Sequence, residues 1–287
     1  MKLLIISGLS GAGKSTALHA LEDLGCFCTD NLPLELLSSW AELESRKPQP
    51  MAVCLDVRSS SEIRELYDAL HPSRLKEQDW RLMYIDASNE ALLRRFSTTR
   101  RRHLFSPGMD LESAITNERK ALEPVRATAN LVLDSSSLNP YEFADLVEEF
   151  WRRSLTAKDK ALIVSLISFS YQRGLPMDAD AILDARFLPN PHYEPELARL
   201  TGRDVAVKSF LEQRSEVAET ELNLRKLMSF YWPKLAHERK QYFSLAIGCS
   251  GGRHRSVYLV EQLAGWMKEQ GMSNPLVRHR ELAPTLE

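Results

Sequence analysis

Cysteine is scarce in this chain of 287 residues: Cys26, Cys28, Cys54 and Cys249 are the only four, and none stands in the C-x-x-C spacing of zinc and redox centres. Reduced thiols are expected, not a disulfide framework. Charge of one sign is lacking too. Lys and Arg number 37 against 39 Asp and Glu, a net −2, so no global basic field announces a nucleic acid, and such a partner must use a local patch. No apolar run is long enough to span a bilayer, and no h-region with a cleavage site opens the chain; a cytoplasmic protein without membrane contact is expected. The composition, 44% hydrophobic and 26% charged, is ordinary for globular proteins. At this length two folded units are expected, 1–153 and 154–287, parting near the charged stretch Arg152–Asp159.

The run Gly8-Leu9-Ser10-Gly11-Ala12-Gly13-Lys14-Ser15 fits G-x-x-x-x-G-K-[ST]. Before it, Leu3 to Ser7 suits a buried parallel strand; after it, Ala17, Leu18, Leu21 and Leu24 recur at helical spacing. Strand, loop and helix form the context of a phosphate-binding P-loop. Its glycines let backbone N–H groups converge on a polyphosphate, and the helix that Thr16 begins adds the positive end of its dipole. Lys14 reaches the terminal phosphates, and the Ser15 hydroxyl ligates the Mg2+ that bridges them.

Two strands then end in a carboxylate, as a magnesium-holding aspartate requires. Met51–Asp56 delivers Asp56, with Arg58 two residues on; Leu82–Asp86 has the same form. The strand beside the P-loop strand is the one needed, and Asp56 is preferred. The loop Asp30-Asn31-Leu32-Pro33 either faces a ligand at a strand end or is plain turn punctuation. Arg94, Arg95, Arg100, Arg101, Arg102 and His103 read as a phosphate-closing lid, a solvated helix face or an RNA patch. A helix over 110–122 is expected to end or break at Pro124. Leu131–Asp134 and Pro140–Leu155 supply the last strand and closing helix of an α/β unit with a parallel sheet covered on both faces.

The second half repeats the strand-loop-helix order. Tyr242–Ile247 leads into Cys249-Ser250-Gly251-Gly252-Arg253-His254-Arg255-Ser256, and a helical pattern follows. A second phosphate site is expected there. The spacing C-x-x-G-x-x-R-S also resembles the loop of cysteine-dependent phosphatases, but Gly248 stands where those enzymes usually carry histidine and no partner acid is identifiable, so binding is preferred over attack by Cys249. Asp178, Asp180, Asp184 and His192 lack a recognised metal spacing, and solvated turns are the preferred reading.

Taken together, the P-loop, Asp30–Pro33, Asp56-Val57-Arg58-Ser59, Arg186–Pro191 and Gly248–Val257 resemble the bacterial RapZ/YvcJ nucleotide-binding family over essentially the whole chain. The resemblance implies a kinase-like N-terminal P-loop domain that binds ATP and GTP with weak hydrolysis, ATP at Gly8–Ser15 and GTP at Asp56, Val57, Arg58 and Ser59. It implies a C-terminal phosphofructokinase-like α/β domain with a sugar-phosphate site, here Asp184, His192 and Cys249–Ser256. In enteric members it implies an adapter that presents a small regulatory RNA to RNase E, is inhibited by glucosamine-6-phosphate, controls glucosamine-6-phosphate synthase, and forms homo-oligomers, tetramers among them. The lysine- and arginine-rich tail of those members is diluted here: Arg278, His279 and Arg280 remain, with Arg253, as RNA-contacting candidates, beside Glu281 and Glu287. The alternative reading is a small-molecule kinase without an RNA role, in which Asp30 accepts the proton of the phosphoryl acceptor.

Overall fold

A computed structural model describes residues 3–44, 49–56, 65–66, 80–99, 103, 108–156, 162–235, 242–272 and 275–282. The chain divides into two compact units, Met1–Ala157 and Lys158–Glu287.

In the first unit the order is β1 (Leu3–Gly8), α1 (Lys14–Asp23), β2 (Phe27–Thr29), α2 (Leu37–Glu44), β3 (Met51–Cys54), β4 (Trp80–Asp86), α3 (Asn89–Thr99), α4 (Leu111–Thr128), β5 (Leu131–Asp134) and α5 (Pro140–Thr156). The strands form a parallel sheet in the order β2-β3-β1-β4-β5. β1 and β3 are buried along their whole length, which is why they read as unbroken apolar runs and do not alternate. Leu4, Ile5 and Ile6 are fully buried, each contributing roughly 1.5–3 kcal/mol. The central strand β1 therefore presents its C-terminal loop between β3 and β4.

One expectation is corrected. α4 does not end at Pro124 but carries it inside and continues to Thr128. The buried stripe Ala114, Ile115, Glu118, Leu122, Val125 runs past the proline, and the burial beyond it, together with an ion pair from Arg126 to Asp86, offsets the one backbone hydrogen bond that proline removes.

The second unit contains β6 (Ile163–Ser170), β7 (Ala181–Asp184), α6 (Val205–Glu212), α7 (Ser215–Leu235), β8 (Tyr242–Cys249), α8 (Arg255–Glu269) and β9 (Leu276–His279). These strands are parallel in the order β7-β8-β6-β9. β8 is buried throughout and occupies an interior position, while Tyr258, Leu259, Val260, Leu263 and Met267 of α8 close the core over it. Both units are thus α/β with parallel sheets, as expected. Each brings a glycine loop to the C-terminal end of an interior strand, the place where open α/β sheets gather ligands.

Candidate functional site: two anion-binding loops

The first loop is shaped by glycines whose positive φ angles L side chains rarely adopt. Gly8 has φ 143°, and a Cβ there would stand 2.1 Å from the Ile85 carbonyl oxygen of β4. Gly13, at φ 113°, is the left-handed N-cap of α1, so the helix begins at Lys14, two residues before the expected Thr16. Lys14 is nine-tenths buried. Its Nζ donates to Gly8 O at 2.8 Å and Leu9 O at 3.2 Å, and lies 3.1 Å from Asp56 Oδ1.

The two carboxylate candidates separate sharply. Both lie on strands that flank β1, so adjacency does not decide between them. Asp86 is fully buried, paired with Arg119 Nη1 at 2.6 Å and Arg126 Nε at 3.2 Å; it neutralises a structural cluster. Asp56 instead lines a cavity of about 590 Å³ with Gly11, Gly13, Lys14, Ser15 and Thr16. Arg95, Phe96, Ser135, Leu138, Asn139, Pro140 and Phe143 line the same cavity. Ser15 and Asp56 are the oxygen donors suited to a magnesium ion, and Asp56 is the one carboxylate among the lining residues, so the chemistry fits a polyphosphate that brings its cation. Among the described residues no group of three or more His, Cys, Asp or Glu gathers to hold a metal unaided.

Among the described residues of the arginine segment, Arg95 lines this cavity. It donates to Gly11 O at 3.1 Å, Ser135 Oγ at 3.0 Å and Ser135 O at 2.6 Å, tying the P-loop to the segment after β5. Asp30 is exposed beyond the edge strand β2 and does not line the cavity. Val57, Arg58 and Ser59, and Arg100 to Arg102, lie outside the described residues.

The second loop leaves β8 at Cys249 and enters α8 at Arg255. Gly248 admits no side chain, since a Cβ would come within 2.4 Å of the Phe169 ring; this is the packing reason for glycine before the cysteine. Gly252 has φ 65°. Among the described residues the amides of Gly251, Gly252 and Arg253 find no protein acceptor, leaving donors for an anion at the N-terminus of α8.

The side chains expected at this site gather around it, although not all as phosphate donors. Arg255 is 3% exposed and donates to Arg186 O at 2.7 Å, Leu188 O at 2.9 Å and Ser250 Oγ at 3.3 Å, while its Nε is buried without a partner. Asp184 receives a bidentate fork from Arg186, at 3.0 and 2.7 Å, which holds its carboxyl below the usual range. Arg186 in turn covers the Tyr171 ring at 3.9 Å. The exposed His192 has its ring 6.3 Å from that of His254. Burial pulls the His254 pKa below its ordinary value, and Nε2 lies 3.1 Å from Leu197 O, so this buried ring is turned to the backbone. Cys249 is buried, with Sγ 3.1 Å from Ser256 Oγ. Neither a buried thiol nor an arginine turned to backbone carbonyls serves attack on phosphorus, and binding fits better than phosphatase chemistry.

The RNA-contacting candidates near the C-terminus lie in and just after β9. Arg278 and His279 belong to β9, not to a free tail. Arg278 pairs with buried Asp178 at 2.5 Å. The His279 ring is 4% exposed, with Nδ1 2.7 Å from Ser168 Oγ and Nε2 3.0 Å from Glu261 Oε1. Strand pairing with β6 turns both side chains to internal partners. Arg280 donates to Gly174 O, and Arg253 is exposed, its nearest partner Glu281 O at 3.4 Å.

Family models agree with this two-part layout. One described as the RapZ-like N-terminal domain matches residues 1–154, and one described as the RapZ C-terminal domain matches 162–283. The chain belongs to the RapZ-like family. It is 41% identical over 283 residues to the RNase adapter protein RapZ of Cronobacter sakazakii, covering 98% of both chains. To a nucleotide-binding protein of Xylella fastidiosa it is 43% identical over 286 residues, covering 98% of this chain and 97% of that one. Among solved structures, shikimate kinase from Acinetobacter baumannii aligns at 19% identity and a TM-score of 0.37, over 55% of this chain and 96% of that one, a likeness too slight to bear on function.

Three residues of this RapZ-like chain escaped the sequence reading. Ser135 and Phe143 line the first cavity from segments far along the chain. Glu118 accepts from Ser10 of the P-loop. A signal for Glu118 was present: it interrupts the apolar stripe Ala114, Ile115, Leu122, Val125 of α4 at helical spacing, and a carboxylate on a buried face needs a partner.

Proposed function

We propose that this chain is a nucleotide-binding regulatory adapter. In this reading the N-terminal unit holds ATP or GTP with Mg2+ through Gly8–Ser15 and Asp56 and hydrolyses it slowly. The C-terminal unit senses glucosamine-6-phosphate, and the output is delivery of a small regulatory RNA to RNase E, which controls glucosamine-6-phosphate synthase and cell-envelope precursor supply. Assembly as a homo-oligomer, a tetramer among the possibilities, belongs to the same reading.

The observation that carries it is the presence of two separate anion cradles in one chain, each a glycine loop between an interior strand and a helix N-terminus. The relatives' names, RNase adapter protein and nucleotide-binding protein, support the output and the first ligand. A kinase reading needs a base near the acceptor, and Asp30 stands off the cavity.

Lys14, the Gly11–Ser15 amides and Asp56 would hold the triphosphate and its ion, the cation supplying charge neutralisation between phosphates. In the second unit the open amides of Gly251–Arg253 would meet the phosphate, and the exposed polar groups of Asp184, Arg186 and His192 the sugar. With Arg278 and His279 turned inward, RNA contact falls to Arg253, Arg280 and surfaces outside the tail. The test is calorimetric titration with glucosamine-6-phosphate, followed by RNA retention with and without the metabolite. Binding that weakens RNA retention is expected. Simultaneous binding without mutual weakening removes the sensor link, and ATP turnover matched by a phosphorylated metabolite would install the kinase instead.

A further inference from the structure

The P-loop is not held by its own backbone alone. Ser10 directs its N–H to both carboxylate oxygens of Glu118, at 3.1 Å each, and its hydroxyl to Oε1 at 2.7 Å. Glu118 is 1% exposed. Its other partner among the described residues is His103, with Nε2 at 3.2 Å from Oε2; no described lysine or arginine pairs with it. An acidic side chain is therefore buried against a loop whose chemistry is to attract anions.

Ser10 belongs to the arm of the loop that precedes Gly11, and it lines the same cavity as Lys14, Ser15 and Asp56. The amides of Gly13, Lys14 and Ser15 and the dipole of α1 serve the inner phosphates of a bound nucleotide, and Lys14 spans to the outer one. The opposite arm, Leu9 to Gly11, is left for the terminal phosphate. There the Ser10 donors are already occupied, and by a negative group. A third phosphate must approach that charge through low-dielectric surroundings and cannot recruit the Ser10 amide without displacing it. A diphosphate stops short of it.

Resting on the nucleotide-binding reading above, we infer that Glu118 is a specificity-determining residue that turns the P-loop toward nucleoside diphosphates and makes the entry of a triphosphate conditional on releasing the Glu118–Ser10 clasp. A residue that merely braced the loop would, on removal, weaken both nucleotides alike. A discriminating residue changes their ratio.

The experiment is calorimetry on the full chain with Mg·ADP and with the magnesium complex of a non-hydrolysable ATP analogue, in the wild type and in Glu118→Gln, which keeps an acceptor for Ser10 but removes the charge. The wild type is expected to bind the diphosphate at least tenfold more tightly, and the variant to bring the two within about threefold. A wild type that prefers the triphosphate, or a gap that survives the substitution, overturns the inference while leaving nucleotide binding intact. Failure of the wild type to bind either nucleotide sinks the nucleotide reading and this inference with it. Should Glu118→Gln not fold, the wild-type ratio of the two affinities still decides, since a preference for the triphosphate overturns the inference.

Discussion

Lys14 and Glu261 show how single groups here are tuned by what surrounds them. Lys14 Nζ is folded back on Gly8 O, Leu9 O and Asp56, contacts that a phosphate would replace with stronger charge-assisted bonds. Lys14→Ala is expected to weaken triphosphate binding by a hundredfold or more, read by calorimetry; an unchanged affinity would mean that the nucleotide does not sit on this loop. Glu261 makes a prediction about pH. The hydrogen bond from His279, helped by Arg203 Nε at 2.6 Å, lowers its pKa to about 2 from an ordinary value of 4.5. A carboxyl whose folded pKa is depressed adds stability that is present above its unfolded pKa and lost as pH falls through the folded one. The window is therefore pH 4.5 down to about 2, and the contribution at neutral pH is on the order of 2–3 kcal/mol after allowing for its partial exposure. Urea unfolding of Glu261→Gln against wild type at neutral pH and near pH 3 checks it: the difference between the two proteins should shrink in acid. A constant difference would show that the ion pair is not its source.

At the scale of elements, each cradle is a strand, a glycine turn and a helix, and a glycine at the end of each strand, Gly8 and Gly248, leaves no room for a side chain. Gly8→Ala places a methyl 2.1 Å from Ile85 O of β4 at a φ of 143°. Both the strain and the clash with backbone oppose it, and a loss of about 3 kcal/mol is expected in denaturant unfolding. A change under 1 kcal/mol would mean that β1 and β4 can move apart. These elements were legible because buried parallel strands write themselves as unbroken apolar runs, and because glycine spacing is dictated by the phosphate and hardly at all by the rest of the fold. What could not be read was the support. Glu118 meets Ser10 across 108 positions, and Arg95 meets Ser135 across 40; no local pattern encodes pairs so distant. β9 was missed for a different reason. Leu276–His279 is four residues long with two basic side chains, and only pairing with β6 reveals that Arg278 and His279 point to Asp178, Ser168 and Glu261. Asp56 was preferred over Asp86 for adjacency to β1, which both possess; the two arginines that lock Asp86 away are what separates them.

For the whole molecule, two compact units with separate cores make a thermodynamic signature available. A ligand that binds only the native form of one unit stabilises that unit by roughly 2.7 kcal/mol at a hundredfold excess over its Kd. Nucleotide should therefore raise one unfolding transition and glucosamine-6-phosphate the other, and Lys14→Ala should abolish the first shift while sparing the second. If either ligand moves both transitions equally, the units unfold as one. Regulation of an RNA output demands more than two independent sites, since a metabolite shifts RNA affinity only through a difference in its own affinity for RNA-bound and RNA-free protein. Two mechanisms supply that difference and they diverge at high metabolite. If RNA phosphates and the sugar phosphate compete for the amides of Gly251–Arg253 and the guanidinium of Arg253, the apparent RNA Kd rises in proportion to metabolite without limit. If the metabolite acts through a change of conformation, the RNA Kd rises to a plateau at the coupling factor, and RNA weakens metabolite binding by the same factor. The exposure of Arg253 beside the open amides favours competition. An RNA titration over a thousandfold range of glucosamine-6-phosphate should then give a Schild-type line of unit slope; a plateau would place the RNA surface elsewhere and require a second conformation of the C-terminal unit.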